Sequence, residues 1–455
     1  MRRKKLKIKN IFILISIILV MVIVFLLLNL EKTSQYNLNI KNIMDNTKKE
    51  SVSLNKVRIY GTHLNISGIL ENKKVFLDNI NEAKLIFKNI DNKKDITIDI
   101  EYDVNSKGNL IFYTSDKINQ GINLEKLNIG DYIMLLKMVE KNYNTNKDDV
   151  NYYKIINNDT QKRFDYYTIT KNGKNNKITI NNYTNEIEKN TYKYTKIDIR
   201  DTKLPDNVYD IVIDPGHGGK DGGATVNGYN EKDITLDYGL LLKEKLESIG
   251  LKVKLTRDGT NEDDLGIYDM YGDNGRAVIP NDVKAKFAFS IHLNSAEYKI
   301  NTGGIEIYVP GNADITLAKN MAENIVESAS TTFSPSMTYK IEKGIYLRTF
   351  TYEEINASKK QAEEDGYEPY DLTTDTTYYF YIRETGGLNT GAYVDGRNTD
   401  YGKNKYYNSA IGVESYLVEL GFMVSNKDLN NLINNKEGYA NGMTKTIEDY
   451  LNTLK

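Results

Sequence analysis

Cysteine and tryptophan are absent from the 455 residues, proline occurs only six times and histidine only three. Without cysteine there is no disulfide and no thiolate ligand, so any transition-metal site must be assembled from His, Asp and Glu. With so few imidazoles, the surroundings of His63, His217 and His292 carry more information than usual. An excess of charge is also missing. Sixty Lys and Arg against 62 Asp and Glu leave a formal net charge of -2, so no global bias toward polyanions is implied and no nucleic-acid partner is expected. No internal repeat at solenoid periods is found. What is present is an ordinary globular balance, 40% hydrophobic and 27% charged residues, in a chain longer than one typical domain.

The exception to that balance lies at the start. Residues 11–28, IFILISIILVMVIVFLLL, are apolar apart from Ser16, and at 1.5 Å per residue they form a helix of roughly 27 Å, enough to cross a hydrocarbon core. Arg2, Arg3, Lys4, Lys5, Lys7 and Lys9 precede the run and place that end on the cytoplasmic side. The apolar core exceeds a signal-peptide core and NLEKTSQYN offers no small-residue cleavage site, so the expectation is an uncleaved, single-pass signal anchor. The resulting layout is a basic cytoplasmic segment over 1–10, a transmembrane helix over 11–30 and a polar stalk over 31–55. Everything beyond it stands outside the cell membrane.

Two patterns divide the remainder. From 56 to 195 short alternating runs recur, including 57–60, 96–102, 132–139 and 152–156, with Asn172-Gly173 marking a hairpin, and they predict an all-β, sandwich-like domain of unassigned role. From 206 to 455 apolar strands at 208–213, 251–255, 287–291, 305–309 and 416–420 alternate with helices at 231–249, 315–329 and 443–454. This predicts an α/β domain, a mostly parallel sheet flanked by helices on both faces. Ile234, Tyr238, Leu242, Leu246 and Ile249 give the first helix its apolar face, with Asn230 before it and Gly250 after it. Residues 331–410, polar and rich in Tyr, are read as a long insertion over the sheet edge or the site rim.

In an open parallel sheet the ligand site lies beyond the carboxyl ends of the strands. Three strands deliver polar residues there: IVIDPGHGG ends in His217, FAFSIHLNS in His292 and YLVELGF in Glu419, while Glu231 opens the first helix. Two imidazoles and a carboxylate from His217, Glu231 and His292 match a three-ligand zinc site with a fourth position for water, and Glu419 suits a general base. Taken singly, each has a plainer account: a histidine in a glycine-rich turn is often only hydrogen-bonded, and a Glu in the first helical turn favours the macrodipole. Glu419 resists such an account, because a carboxylate inside an apolar run is costly to bury without a role. His63, beside Thr62 and Asn65, is expected to be no ligand. Spacing alone stops at a metal hydrolase.

Motif by motif, the C-terminal half resembles the zinc-dependent N-acetylmuramoyl-L-alanine amidase family of bacterial cell-wall hydrolases. IVIDPGHGGKDGGATVNGYNEKDITLDYGLLLKEKL is similar to its opening strand, His loop and Glu-headed helix, and VKLTRDG to its second strand. NGRAVIPNDVKAKFAFSIHLNS is similar to the segment ending in the second metal His, and GGIEIYV and YLVELGFMVSNKDLNNL to the last two strand motifs. The resemblance covers about 206–330 and 410–455. It implies His217, Glu231 and His292 as Zn²⁺ ligands, Glu419 as general base, and peptidoglycan as substrate, cut between N-acetylmuramic acid and L-alanine. The departures are the long 331–410 segment, Leu293 and Ser295 beside Asn294 where small alanines are usual, and Arg383, whose match to a family arginine is unsettled by the extra residues. Two alternatives share the same features: a zinc endopeptidase or carboxypeptidase on stem peptides, and a non-catalytic wall-binding membrane protein. An anchored wall hydrolase also implies control, by the insertion, the β-rich domain or a regulatory protein partner.

Overall fold

The computed structural model describes the chain except residues 1, 146, 172, 261–264, 266–273, 297–299, 302, 365, 367, 368, 370, 371, 375, 377, 378, 393–403 and 455, and no side chains for residues 2–14. The six basic side chains of residues 2–9, the Asn172 of the hairpin signal and parts of the 331–410 segment lie outside the described residues.

A single helix runs from Arg2–Asp45. Its apolar stretch, long enough to cross a membrane, is wholly unburied by the rest of the chain. The stalk expected over 31–55 is corrected here, because the helix continues through Asp45 and a strand begins at Ser51. No Gly or Pro interrupts residues 29–45, and Tyr36, Ile40, Ile43 and Met44 recur at helical spacing on one face. Asn37, Asn39 and Asn42 interleave with this stripe in the sequence. Ile40, Ile43 and Met44 are buried against Ile86, Ile90, Ile133 and Leu135, so the end of the helix is docked on the β-rich region.

That region forms a branched 13-stranded sheet, with twelve strands of its own and one, Ile411–Gly412, from the C-terminal half. Strand Gly130–Asn142 pairs antiparallel with Ile80–Asn89, and also with Lys147–Asn157 and Asn190–Thr202. The hairpin around residue 172 is present as the antiparallel pair Phe164–Tyr167 and Asn175–Ile187. Alternating residues of the strands, among them Val57, Leu85, Phe112, Leu136, Ile155 and Ile197, meet in one core, which requires the sheet to curl around them.

The C-terminal region is built on a seven-stranded sheet in the order Val253–Leu255, Ile211–Pro215, Phe287–Asn294, Glu414–Phe422, Glu306–Tyr308, Ile345–Tyr346, Lys340–Glu342. Its pairings are parallel except those of Glu306–Tyr308 with Glu414–Phe422 and of the last two strands with each other. Successive side chains point to opposite faces. Ile211 and Ile213 pack with Leu242, Ile325 and Met443 from helices Glu231–Ser248, Thr316–Ala329 and Lys436–Asn452. Val212 and Ala288 face the other way, toward Ile279 and Tyr381. Helices therefore cover both faces, as the alternation of patterns predicts. The 331–410 segment first extends the sheet edge through residues 340–346, then returns through helix Phe380–Thr385 to the central strand.

Candidate metal centre

Strand Ile211–Pro215 is buried to its tip, and the chain leaves it through a loop that only small or unusual backbones permit. His217 takes φ 61°, a left-handed conformation uncommon for a non-glycine residue. A Cβ on Gly216 would stand 2.4 Å from His292 Cε1, and one on Gly223 2.7 Å from His217 Cδ2. The glycines thus leave room for both imidazoles. Two buried guanidinium groups hold the loop's carbonyls. Arg257 donates to Pro215 O at 2.9 Å and Gly216 O at 3.0 Å, while Arg276 donates to Pro215 O at 2.8 Å and to His217 O. Arg276 also pairs with Asp214 at 2.7 Å. Burial opposes ionisation of Asp214, but Arg276 and hydrogen bonds from Thr256 and Ser290 outweigh it and hold the carboxyl below its usual range.

The helix begins at Glu231, as expected. Asn230 is the N-cap residue but its side chain makes no capping bond. Instead the loop caps the helix, with the Glu231 and Lys232 N–H groups donating to Ala224 O at 2.8 Å and Gly222 O at 3.1 Å. This fixes Glu231 beneath the histidines. Its Oε1 lies 3.1 Å from His217 Nε2 and 3.3 Å from His292 Nδ1 and accepts from Leu293 N–H at 2.8 Å, and its Oε2 accepts from Ala224 N–H at 3.1 Å. The imidazoles meet edge to face, centroids 4.9 Å apart. One candidate donor atom from each of His217, Glu231 and His292 lies within 4.8 Å of the others. On the far side of His217, Asp221 Oδ2 stands 2.8 Å from Nδ1.

Charge follows from this packing. Burial would lower the His217 pKa, yet the Asp221 and Glu231 carboxylates outweigh it and raise it to about 9. Burial would raise Glu231, and the two histidines reverse that, carrying it well below the carboxylate range. Nitrogen and oxygen donors of this type, two imidazoles and one carboxylate, form a set that suits zinc. The carboxylate fixing the second nitrogen of His217 is the usual outer support of such a ligand.

Glu419 lies on strand Glu414–Phe422 opposite His292 in register, and one extra residue in its strand follows at once as a bulge, a feature that re-aims side chains beside sites. On its other edge it faces Glu306, which accepts from Asn294 at 2.9 Å, Tyr308 at 2.8 Å and Ser334 at 2.6 Å. Glu419 is 9% exposed, and its Oε2 is buried without a hydrogen-bond partner among the described residues. Burial, reinforced by the charges of Glu231 and Glu306, pushes its pKa well above the usual value. A cavity of about 170 Å³ is lined jointly by His217, His292 and Glu419 and by Tyr379, Phe380 and Tyr381.

The structure therefore brings His217, Glu231, His292 and Glu419 to one place. Arg383 does not line this cavity; it sits on helix Phe380–Thr385 and donates to Gly391 O at 2.9 Å. His63 lies elsewhere, on strand His63–Leu70, where burial and Lys126 lower its pKa to about 4. Four residues around the site had no role assigned from the sequence: Asp221, Arg257, Arg276 and Glu306. Asp221 shares the glycine-rich loop with His217, and the two arginines stand inside the motifs TRDG and NGRAVIP. Those positions were the available signal. Glu306 likewise stands inside the motif GGIEIYV, a carboxylate within an apolar run.

A profile of the family described as N-acetylmuramoyl-L-alanine amidase matches residues 211–449, more than half of the chain. The sporulation-specific N-acetylmuramoyl-L-alanine amidase of Bacillus subtilis strain 168 is 40% identical over 85 residues, 19% of this chain and 31% of that protein. The germination-specific N-acetylmuramoyl-L-alanine amidase of the same strain is 32% identical over 106 residues, 22% of this chain and 44% of that protein. The chain thus spans less than half the length of either curated relative. Among solved structures, the amidase AmiC2 of Nostoc punctiforme is 22% identical, with a TM-score of 0.33, over 54% of this chain and 98% of that one.

Proposed function

From the premise that this chain belongs to the N-acetylmuramoyl-L-alanine amidase family, we propose that it hydrolyses the amide between N-acetylmuramic acid and the L-alanine of peptidoglycan. The observation that carries the reading is the convergence of His217, Glu231 and His292, with the two histidines lining one cavity together with the buried Glu419. In this reading His217 Nε2, His292 Nδ1 and a Glu231 oxygen hold a zinc ion, which fits the donor set. When bound, zinc supplies polarisation of a carbonyl and lowers the pKa of a coordinated water to about 7. Glu419 is the general base: it accepts the proton of the attacking water and passes it to the leaving nitrogen as the carbon–nitrogen bond breaks. Asp221 keeps His217 in the tautomer with Nε2 free, and Leu293 N–H keeps Glu231 oriented.

Location belongs to the same proposal. Residues 11–30 cross the cell membrane once with residues 1–10 in the cytoplasm, and residues 206–455 form the catalytic domain on the wall side, its insertion at 331–410. The partner is the peptidoglycan itself, no nucleic acid is involved, and a regulatory protein remains to be sought.

The test is digestion of purified peptidoglycan by the zinc-loaded full-length protein in detergent, followed by mass analysis. Intact glycan strands and free stem peptides beginning with L-alanine are expected. Cuts inside the stem peptide would move the assignment to an endopeptidase. Glu419→Gln is expected to lower turnover by about 10²–10⁴-fold while one zinc per chain is retained; full activity in that variant would remove Glu419 from the mechanism.

A further inference from the structure

Residues 379–381 share the cavity with His217, His292 and Glu419, and they belong to the return path from the sheet edge to strand Glu414–Phe422. Much of what holds this path comes from outside the α/β region. Strand Ser51–Tyr60 of the β-rich region takes up Ile411–Gly412 as a parallel neighbour, with Ile59 opposite Ile411 and Tyr60 opposite Gly412. Ile59 N–H donates to Ala410 O at 2.9 Å and Gly61 N–H to Gly412 O at 3.0 Å. Asn389 Nδ2 donates to Ile59 O at 3.0 Å. Ala410 is buried within the core of the β-rich region.

From this junction, hydrogen bonds lead inward to the cavity wall. Leu388 N–H donates to Ser409 O at 3.0 Å and Val413 N–H to Thr385 O at 3.1 Å. Asn404 Nδ2 donates to Glu384 O at 3.0 Å. Thr385 ends the helix that begins at Phe380, and Tyr379 stands edge to face with Tyr308, centroids 4.9 Å apart. The cavity bounded on this side by residues 379–381 is partly open and measures about 170 Å³, small beside the about 300–1,000 Å³ of sites for drug-sized ligands. Residues 379–381 form one wall of that cavity, so their position sets how far a muramoyl peptide can enter it. The junction itself is small, two register pairs at a sheet edge, while separate contacts keep the two regions together, among them Asn119 Nδ2 to Glu414 Oε1 at 2.7 Å and Thr170 N–H to Asp210 Oδ1 at 3.0 Å. The edge can therefore part without separating the regions.

We propose that the β-rich region sets substrate access: by adding residues 411–412 to its own sheet it holds residues 379–381 against the metal centre, and parting of that added strand opens the cavity to the muramoyl peptide. Ile59, Asn389 and Ile411 are positioning residues, not catalytic ones. The identity of the substrate rests on the amidase reading; the mechanical linkage does not.

The absence of cysteine makes a direct test available. Paired residues on adjacent strands stand about 4.8 Å apart, within disulfide range, so Ile59→Cys with Ile411→Cys in the zinc-loaded full-length protein locks the junction on oxidation. The oxidised form is expected to digest peptidoglycan at least about tenfold more slowly than the reduced form. Asn389→Ala, which keeps both regions folded by circular dichroism, is expected to speed amide hydrogen exchange in residues 380–390 about tenfold and leave helix Glu231–Ser248 unchanged. It also lowers KM for polymeric peptidoglycan more than it changes kcat. Equal digestion by oxidised and reduced forms with the cross-link verified, or unchanged exchange in Asn389→Ala, overturns the proposal. If no form digests peptidoglycan, the wild type included, the amidase reading falls and the exchange measurement alone decides this one.

Discussion

Asp221 touches no substrate-facing atom in this account, yet its carboxylate fixes which nitrogen of His217 faces Glu231. Removing it frees the ring to turn. Asp221→Ala is therefore expected to weaken zinc binding by about 10–100-fold, read by competition with a chromophoric chelator, with the fold unchanged by circular dichroism. Glu414 gives a second residue-scale expectation. Burial raises its pKa to about 7, only partly offset by hydrogen bonds from Tyr416 and Asn119. An acid whose folded pKa lies above its unfolded value binds more protons when folded, so stability falls as pH rises from about 4.5 to about 7. Glu414→Gln cannot ionise, and its stability curve should be flatter across that window by up to about 3 kcal/mol. Denaturant melts at several pH values check this; an unchanged slope would show that Glu414 is not the titrating group. The four residues named from sequence were legible because each ends an apolar run or opens a helix. Glu306 and Asp221 were not, since their importance lies in what they touch.

At the scale of elements, the N-terminal helix is the instructive case. Its apolar half is recognisable from composition, whereas its continuation to Asp45 shows in the sequence only as the short stripe Tyr36, Ile40, Ile43 and Met44, whose docking partners lie tens of residues or more away. Ile40 is fully buried against the β-rich region. Ile40→Ala should cost about 2–5 kcal/mol if the helix end is part of the folded unit, seen as a lowered melting temperature and faster proteolysis near residues 46–50. No change in either would mean that residues 31–45 behave as the free stalk first expected. Strands of the α/β region, by contrast, were legible to within a few residues, because parallel strands buried on both faces are continuous apolar runs.

For the molecule as a whole, the expectation that follows from the anchor is topological. Single cysteines introduced by Thr453→Cys and Lys5→Cys should differ in cells: the first labelled by a membrane-impermeant maleimide from outside, the second protected until the membrane is opened. Equal protection of both would overturn the proposed orientation. The β-rich region contacts both the end of the N-terminal helix and the Ile411–Gly412 stretch of the C-terminal half.

Local chemistry along the chain was enough to determine the apolar N-terminal helix, the change from β to α/β pattern near residue 206, and the positions of His217, Glu231, His292 and Glu419. Each depends on neighbours within a few residues, where periodicity, glycine freedom and helix starts operate. Tertiary structure decided what depends on distant partners: the loop held by Arg257 and Arg276, the carboxylate behind His217, the docked helix end and the strand lent by Ile411–Gly412 to a different sheet. Hydrogen bonds and packing across hundreds of residues are set by how elements meet in space, and the order of residues along the chain does not display that meeting.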